Sequence, residues 1–176
     1  AGSSKASKAL YIVTCPEAVA EKVVSSRELS SRTLKLAVGE HTEVDTIMDI
    51  LADFGFERVD YVYEPGQYAL RGSIVDVFSF SSEYPYRIDF FGDEVDSMRW
   101  FAVADQRTLT GPHITHPAEL YAPPCREILI TPSVMRRAAK LQSQMPAAAD
   151  MLEKIAGGIA VEGMESLAPV LVDEMV

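Results

Sequence analysis

The residues of this chain that could take part in chemistry are few and badly placed for most of it. F-F-G-D-E-V-D (90–96) sets Asp93 and Glu94 side by side after an apolar run, as an acidic motif at the end of an ATPase strand would. That chemistry also needs a phosphate loop, G-x-x-x-x-G-K-[ST], and no glycine in the 176 residues is followed by lysine. The pair is therefore expected to be solvated acids in a hairpin turn. His113 and His116 lie in a proline-rich stretch and supply too few ligands for zinc. His41 stands at a predicted helix start, and none of the three adjoins a nucleophile signal such as G-x-S-x-G. Cys15 and Cys125 fit no metal or redox spacing and read as reduced thiols. No catalytic, cofactor-binding or metal-binding residue is assigned, and the chain is not expected to be an enzyme.

The arginines and aromatics carry more. In Y-R-I-D-F-F (86–91) strand alternation sends Tyr86, Ile88 and Phe90 to one face, and Arg87, Asp89 and Phe91 to the other. In Q-Y-A-L-R (67–71), Ala69 and Arg71 oppose Tyr68 and Leu70. With Tyr68, Leu70, Ile88 and Phe90 in the core, Arg71, Arg87 and Phe91 remain on the outer face. Arginine and aromatic side chains are the types enriched at interface hot spots, so these three are the candidate partner-binding residues. The pattern leaves one alternative open: an arginine–aspartate cross-strand pair, with Phe91 bent into a second core.

Composition narrows the partner. The net charge is −10, and no basic cluster exceeds Arg136-Arg137, which argues against nucleic-acid binding by this chain itself. At 48% hydrophobic residues it can fill one or two modest cores. No apolar run is long enough for a bilayer and no secretory leader is visible, so a cytoplasmic protein is expected.

The elements that must position the three residues follow from periodicity. Residues 1–7 are small and polar and read as a disordered lead-in or junction. A-L-Y-I-V-T (9–14) reads as a strand, and Pro16-Glu17-Ala18 opens a helix that turns Val19 and Val23 inward. T-L-K-L-A-V (33–38) alternates as a strand. Thr42 is the expected N-cap of a helix with the stripe Val44, Ile47, Met48, Leu51 and Phe54, closed by Gly55 at C′. Strand patterns follow at R-V-D-Y-V-Y (58–63), 67–71, S-I-V-D-V-F (73–78), 86–91 and E-V-D-S-M-R-W-F (94–101). Gly92-Asp93 is a hairpin turn and Gly72 a bulge. Thr110 to Pro124 reads as a loop. Thr131 caps a helix with Pro132 at its first position, Pro146 breaks it, and a second helix runs through Met151, Leu152 and Ile155 to Gly157-Gly158. The final apolar stretch, G-M-E-S-L-A-P-V-L-V-D-E-M-V, looks as if it lacks a cover within the chain. A strand and helix followed by an antiparallel meander make an α+β domain over 33–110.

The stretch E-P-G-Q-Y-A-L-R-G-S-I-V-D-V-F, with Y-P-Y-R-I-D-F-F-G-D-E-V-D-S-M-R-W-F after it, closely resembles the UvrB-homology region of bacterial transcription-repair coupling factors, the Mfd family. The likeness reaches upstream through P-E-A-V-A-E-K-V-V and L-K-L-A-V-G-E, and more weakly downstream to G-I-A-V-E-G-M-E-S-L-A-P-V-L. It implies a small antiparallel sheet with a packed helix, UvrB domain 2-like, at 33–110, flanked by α/β and helical pieces of domain 1. Residues 8–32 would end domain 1a, and 111–176 would be a linker and part of domain 1b. It implies docking of UvrA, the damage-recognition ATPase of nucleotide excision repair, with the contacts on Arg71, Arg87 and Phe91. In the full-length protein it implies recruitment of UvrA to stalled RNA polymerase and ATP- and magnesium-dependent motion on DNA through other domains. It also implies intramolecular contact of those domains with the docking face. The chain departs from UvrB itself, whose F-R-V-R-G becomes Y-A-L-R-G, so Ala69 stands where UvrB would use an arginine. A fragment of a UvrB-type helicase subunit is the alternative. A generic adaptor, like the related small domain of some cell-wall synthases, is disfavoured by the flanking sequence.

Overall fold

The computed structural model describes residues 13–16, 25–126 and 128–172. The strand expected at 9–14 and the helix expected from Pro16 fall almost wholly outside the described residues. Val13 and Thr14, the described end of that segment, are exposed and not in a strand. After a short helix α1 (Ser26–Ser31) come β1 (Leu34–Ala37), α2 (Val44–Asp53) and β2 (Glu57–Arg58). Next are β3 (Gln67–Arg71), β4 (Ile74–Val77), β5 (Tyr86–Phe91), β6 (Glu94–Trp100) and β7 (Glu119–Ala122). The chain then turns helical, with α3 (Pro132–Leu141), α4 (Ala149–Ala156) and α5 (Ala168–Leu171). The architecture is α+β, as expected.

β2 to β6 form one sheet in sequence order, antiparallel except for the parallel β2–β3 pair. One face of it, with Tyr68, Val75, Val77, Tyr86, Ile88, Phe90, Val95 and Met98, packs on the α2 stripe of Ile47, Met48 and Leu51. Val44 and Phe54 flank this core half-buried. α2 begins one residue later than expected. Its N-cap is Glu43, without a side-chain cap bond, and the Thr42 N–H donates to the Asp93 carbonyl at 2.7 Å. Its end is as expected. Gly55 has φ +83°, and the Gly55 and Phe56 N–H groups donate back to Ala52 and Leu51, a Schellman close that only glycine accommodates easily.

Four further expectations are corrected. R-V-D-Y-V-Y pairs as a strand only at Arg58. Beyond Val59, whose N–H still reaches the Tyr68 carbonyl, the backbone groups of Val62, Tyr63 and Glu64 bond to glutamine side chains instead of a ladder. Gly72 is no bulge: Arg71 pairs with Ile74, so Gly72-Ser73 is a two-residue hairpin turn with φ +62° at glycine. The register shift lies between Asp89 and Phe90, opposite Asp96, and lets Val95 and Met98 both enter the core although their parity differs. The supposed loop at 110–124 contains β7, which pairs antiparallel with β1 from Leu34↔Ala122 to Ala37↔Glu119. Its E-L-Y-A alternates, with Leu120 and Ala122 fully buried, but four residues between prolines give little signal.

The fourth correction concerns the last apolar stretch, which is covered by this chain. Met164, Leu167, Ala168, Leu171 and Val172 join Ile128, Val134, Ala138, Leu152 and Ile155 in a second core. α3 starts as the sequence indicates, Pro132 following a Thr131 hydroxyl that accepts the Val134 N–H at 3.3 Å. No helix among the described residues is long and apolar enough to cross a membrane.

Between β7 and the helices, burial raises the Cys125 thiol to about 11, against a smaller opposing pull from Arg126. It is therefore expected to stay a thiol at pH 8 and to alkylate far more slowly than exposed Cys15. Peptide mapping after brief iodoacetamide treatment checks this, and equal labelling of both would contradict it.

Candidate protein-docking site

The outer face of the sheet is ordered around one acid. β4 runs between β3 and β5 and places Asp76 opposite Arg87, with Arg71 on the diagonal. The Asp76 side chain is 1% exposed. Arg87 Nε donates to Asp76 Oδ1 at 2.8 Å, and Arg87 Nη2 donates to Oδ2 at 2.8 Å, a bidentate fork. Arg71 Nη2 donates to the same Oδ2. One carboxylate thus holds both candidate arginines.

The two arginines are not equally available. Arg87 is 14% exposed in its side chain, its guanidinium lies 4.3 Å from the centroid of the Phe101 ring, and Nη1 donates to the Gln106 carbonyl at 2.9 Å. The hydrogen bonds to Asp76 hold its proton more firmly than in free arginine, burial working the other way. Arg71 is 32% exposed. Its guanidinium lies 5.0 Å from the Tyr61 ring centroid, with Nη1 3.5 Å from the Asp60 carbonyl.

Two segments cover this face. Residues 59–63 cross it, and residues 102–106 fold back after β6. Val62, Ala69 and Phe101 form a small core of their own beneath them, with Val59 and Phe78 at its margin. Gln106 ties the segments together, its Nε2 donating to the carbonyls of Val62 at 3.0 Å and Val103 at 2.9 Å. Gln106 has φ +60°, a left-handed conformation unusual for a residue other than glycine. Ala69, at the position where the resemblance to UvrB implies an arginine, is 1% exposed within this core.

Phe91 is 80% exposed at the end of β5, four positions beyond Arg87 and outside the Asp76 cluster. Its backbone is nevertheless fixed. Phe91 pairs with Glu94, the neighbouring Phe90 N–H donates to the Ser73 carbonyl at 2.9 Å, and the hairpin tip is bound to the chain before α2 through Thr42→Asp93 and Val95→Glu40. The His41 ring, 3.3 Å from an Asp93 carboxylate oxygen, adds a side-chain link.

Strand parity therefore places all three predicted residues off the main core, and the structure brings Arg71 and Arg87 together. The alternative reading survives by half: the arginine–aspartate pair exists, but the second core is filled by Phe101, and Phe91 is not in it. Asp76, Tyr61, Phe101 and Gln106 were missed. Asp76 had a signal, a lone acid in the otherwise apolar S-I-V-D-V-F; Gln106 had none. Among the described residues no group of three His, Cys, Asp or Glu is placed to hold a metal. A charge-fixed, partly apolar surface on a rigid sheet is suited to binding another protein.

Residues 34–119 match the model of the UvrB interaction domain, and that segment of the chain belongs to the family. Most of the chain is also similar to transcription-repair-coupling factors. It is 42% identical over 146 residues to the transcription-repair-coupling factor of Mycobacterium bovis, covering 78% of this chain and 12% of that protein. The Bacillus subtilis factor is 35% identical over 153 residues, 85% of this chain and 11% of the relative. The UvrABC system protein B of Streptococcus agalactiae is 30% identical over 132 residues, 74% of this chain and 19% of the relative. This chain thus spans a small part of the length of each.

Proposed function

We propose that this chain is a docking module for UvrA, and that within a transcription-repair coupling factor it recruits UvrA to RNA polymerase stalled on damaged DNA for nucleotide excision repair. In this reading Phe91, Arg71 and Arg87 form the docking face, while residues 8–32 and the part of 111–176 that follows β7 belong to the neighbouring domain 1. The observation that carries it is Phe91, a phenylalanine 80% exposed on a backbone fixed from three sides, at the end of the strand that carries Arg87. A rigid, exposed aromatic loses little freedom when covered, which favours it as an anchor. Any ATP, magnesium, DNA or polymerase chemistry belongs to domains of the longer protein.

Calorimetric titration of UvrA with the wild type, Arg71→Ala and Phe91→Ala tests the reading. Phe91→Ala is expected to weaken binding by about 2 kcal/mol, roughly thirtyfold, with an unchanged melting temperature. Wild-type affinity in both variants would exclude this face. Contact of other domains with the same face in the full-length protein would make its affinity for UvrA lower than that of this chain, and equal affinities would exclude such masking. The alternative, a fragment of a UvrB-type helicase subunit, has the 30% identity to UvrABC system protein B in its favour. ATP turnover by this chain would support it.

A further inference from the structure

The segment 59–63 leaves the sheet and crosses the outer face, and its middle residue has no evident structural role in the cores. Tyr61 is 51% exposed, while Val62 beside it is fully buried. The backbone is held on both sides of Tyr61: the Asp60 carbonyl faces Arg71 Nη1, and the Val62 carbonyl accepts the Gln106 amide at 3.0 Å. The ring stacks on Arg71, whose guanidinium is anchored in turn to a carboxylate 1% exposed. Ring and guanidinium therefore form one preorganised surface, apolar at the tyrosine and cationic at the arginine. Asp76 with Arg71 and Arg87 leaves a local charge of +1 on a chain whose net charge is −10.

We propose that Tyr61 is a further contact residue of the docking face, acting with Arg71 as a single composite anchor for the same partner, UvrA. The inference rests on the docking function proposed above. The partner group that fits is a carboxylate or backbone carbonyl taking the remaining N–H donors of Arg71, next to an apolar side chain that covers the tyrosine ring. Continuity with Arg71 selects this occupant, and the positive charge selects its acidic edge. Tyr63, exposed to a similar degree at 56% on the same segment, has no arginine beneath it and serves as the control.

The experiment is titration of UvrA with Tyr61→Ala, Tyr61→Phe, Tyr63→Ala and Phe91→Ala variants of this chain, each with a melting curve. Tyr61→Ala is expected to bind roughly tenfold more weakly at an unchanged melting temperature, and Tyr61→Phe and Tyr63→Ala to stay within about threefold of wild type. Tyr61→Ala at wild-type affinity while Phe91→Ala fails would overturn the Tyr61 contact and leave the docking function standing. Wild-type affinity in both would exclude this face, and the Tyr61 contact with it, while UvrA binding by the chain would stand. Equal losses in Tyr61→Ala and Tyr63→Ala would overturn the composite anchor, since the effect would then follow exposed aromatic area rather than the arginine.

Discussion

Asp76→Ala is expected to lower folding stability by about 3–5 kcal/mol, the range for removing one partner of a buried ion pair. The loss arises on the arginine side. Arg87, 14% exposed over the Phe101 ring, would keep only its bond to the Gln106 carbonyl and would face the small Val62–Ala69–Phe101 core with an unneutralised charge. Arg71, more exposed, can swing into solvent at little cost, so nearly the whole penalty falls on Arg87 and on the segments it supports. Asp76→Asn keeps an acceptor oxygen but turns an amide donor toward guanidinium donors, and is expected to lie between the wild type and alanine. Urea unfolding measures both. A loss under about 1 kcal/mol for alanine would mean the cluster behaves as a solvated surface pair.

How far the sequence leads can be judged from the same residues. Alternation in Y-R-I-D-F-F placed Ile88 and Phe90 inward and Phe91 outward because β5 keeps its period of two through the irregularity, which is absorbed by Asp96 on β6. The helix stripe and Gly55 were legible because they depend on local periodicity and on a positive φ. β7 was not, since its pairing with β1 joins residues far apart in the chain through only four positions. The exposure of Arg87 was misjudged for a related reason. Parity tells which face of a sheet a side chain takes, yet it cannot tell that residues 59–63 and 102–106 fold over that face. Those segments are held by side-chain amides from Gln67 and Gln106, which have no period to read.

The covering of Arg87 leads to the second large effect. Arg87→Ala is expected to cost about 3 kcal/mol of stability, because it leaves a carboxylate 1% exposed with Arg71 as its remaining partner. UvrA affinity should fall as well, although little of the Arg87 side chain is there to be touched. The route runs through Asp76: once the carboxylate turns to follow solvent, Arg71 and the Tyr61 ring on it lose their fixed position. Arg87→Lys keeps the charge but cannot reproduce the Nε and Nη2 fork, so it should recover only part of either quantity. The pair Asp76→Leu with Arg87→Met separates the two effects. Apolar side chains beside Phe101, Val62 and Ala69 remove both buried charges at once, so stability should return to within about 1–2 kcal/mol of wild type. Arg71 is then without its anchor, and affinity for UvrA should remain low. Unfolding and calorimetry on the four proteins decide the matter. Recovery of affinity together with stability would make Arg87 a filler of the outer core, whereas recovery of stability alone would show that the buried ion cluster serves to aim Arg71 at the partner.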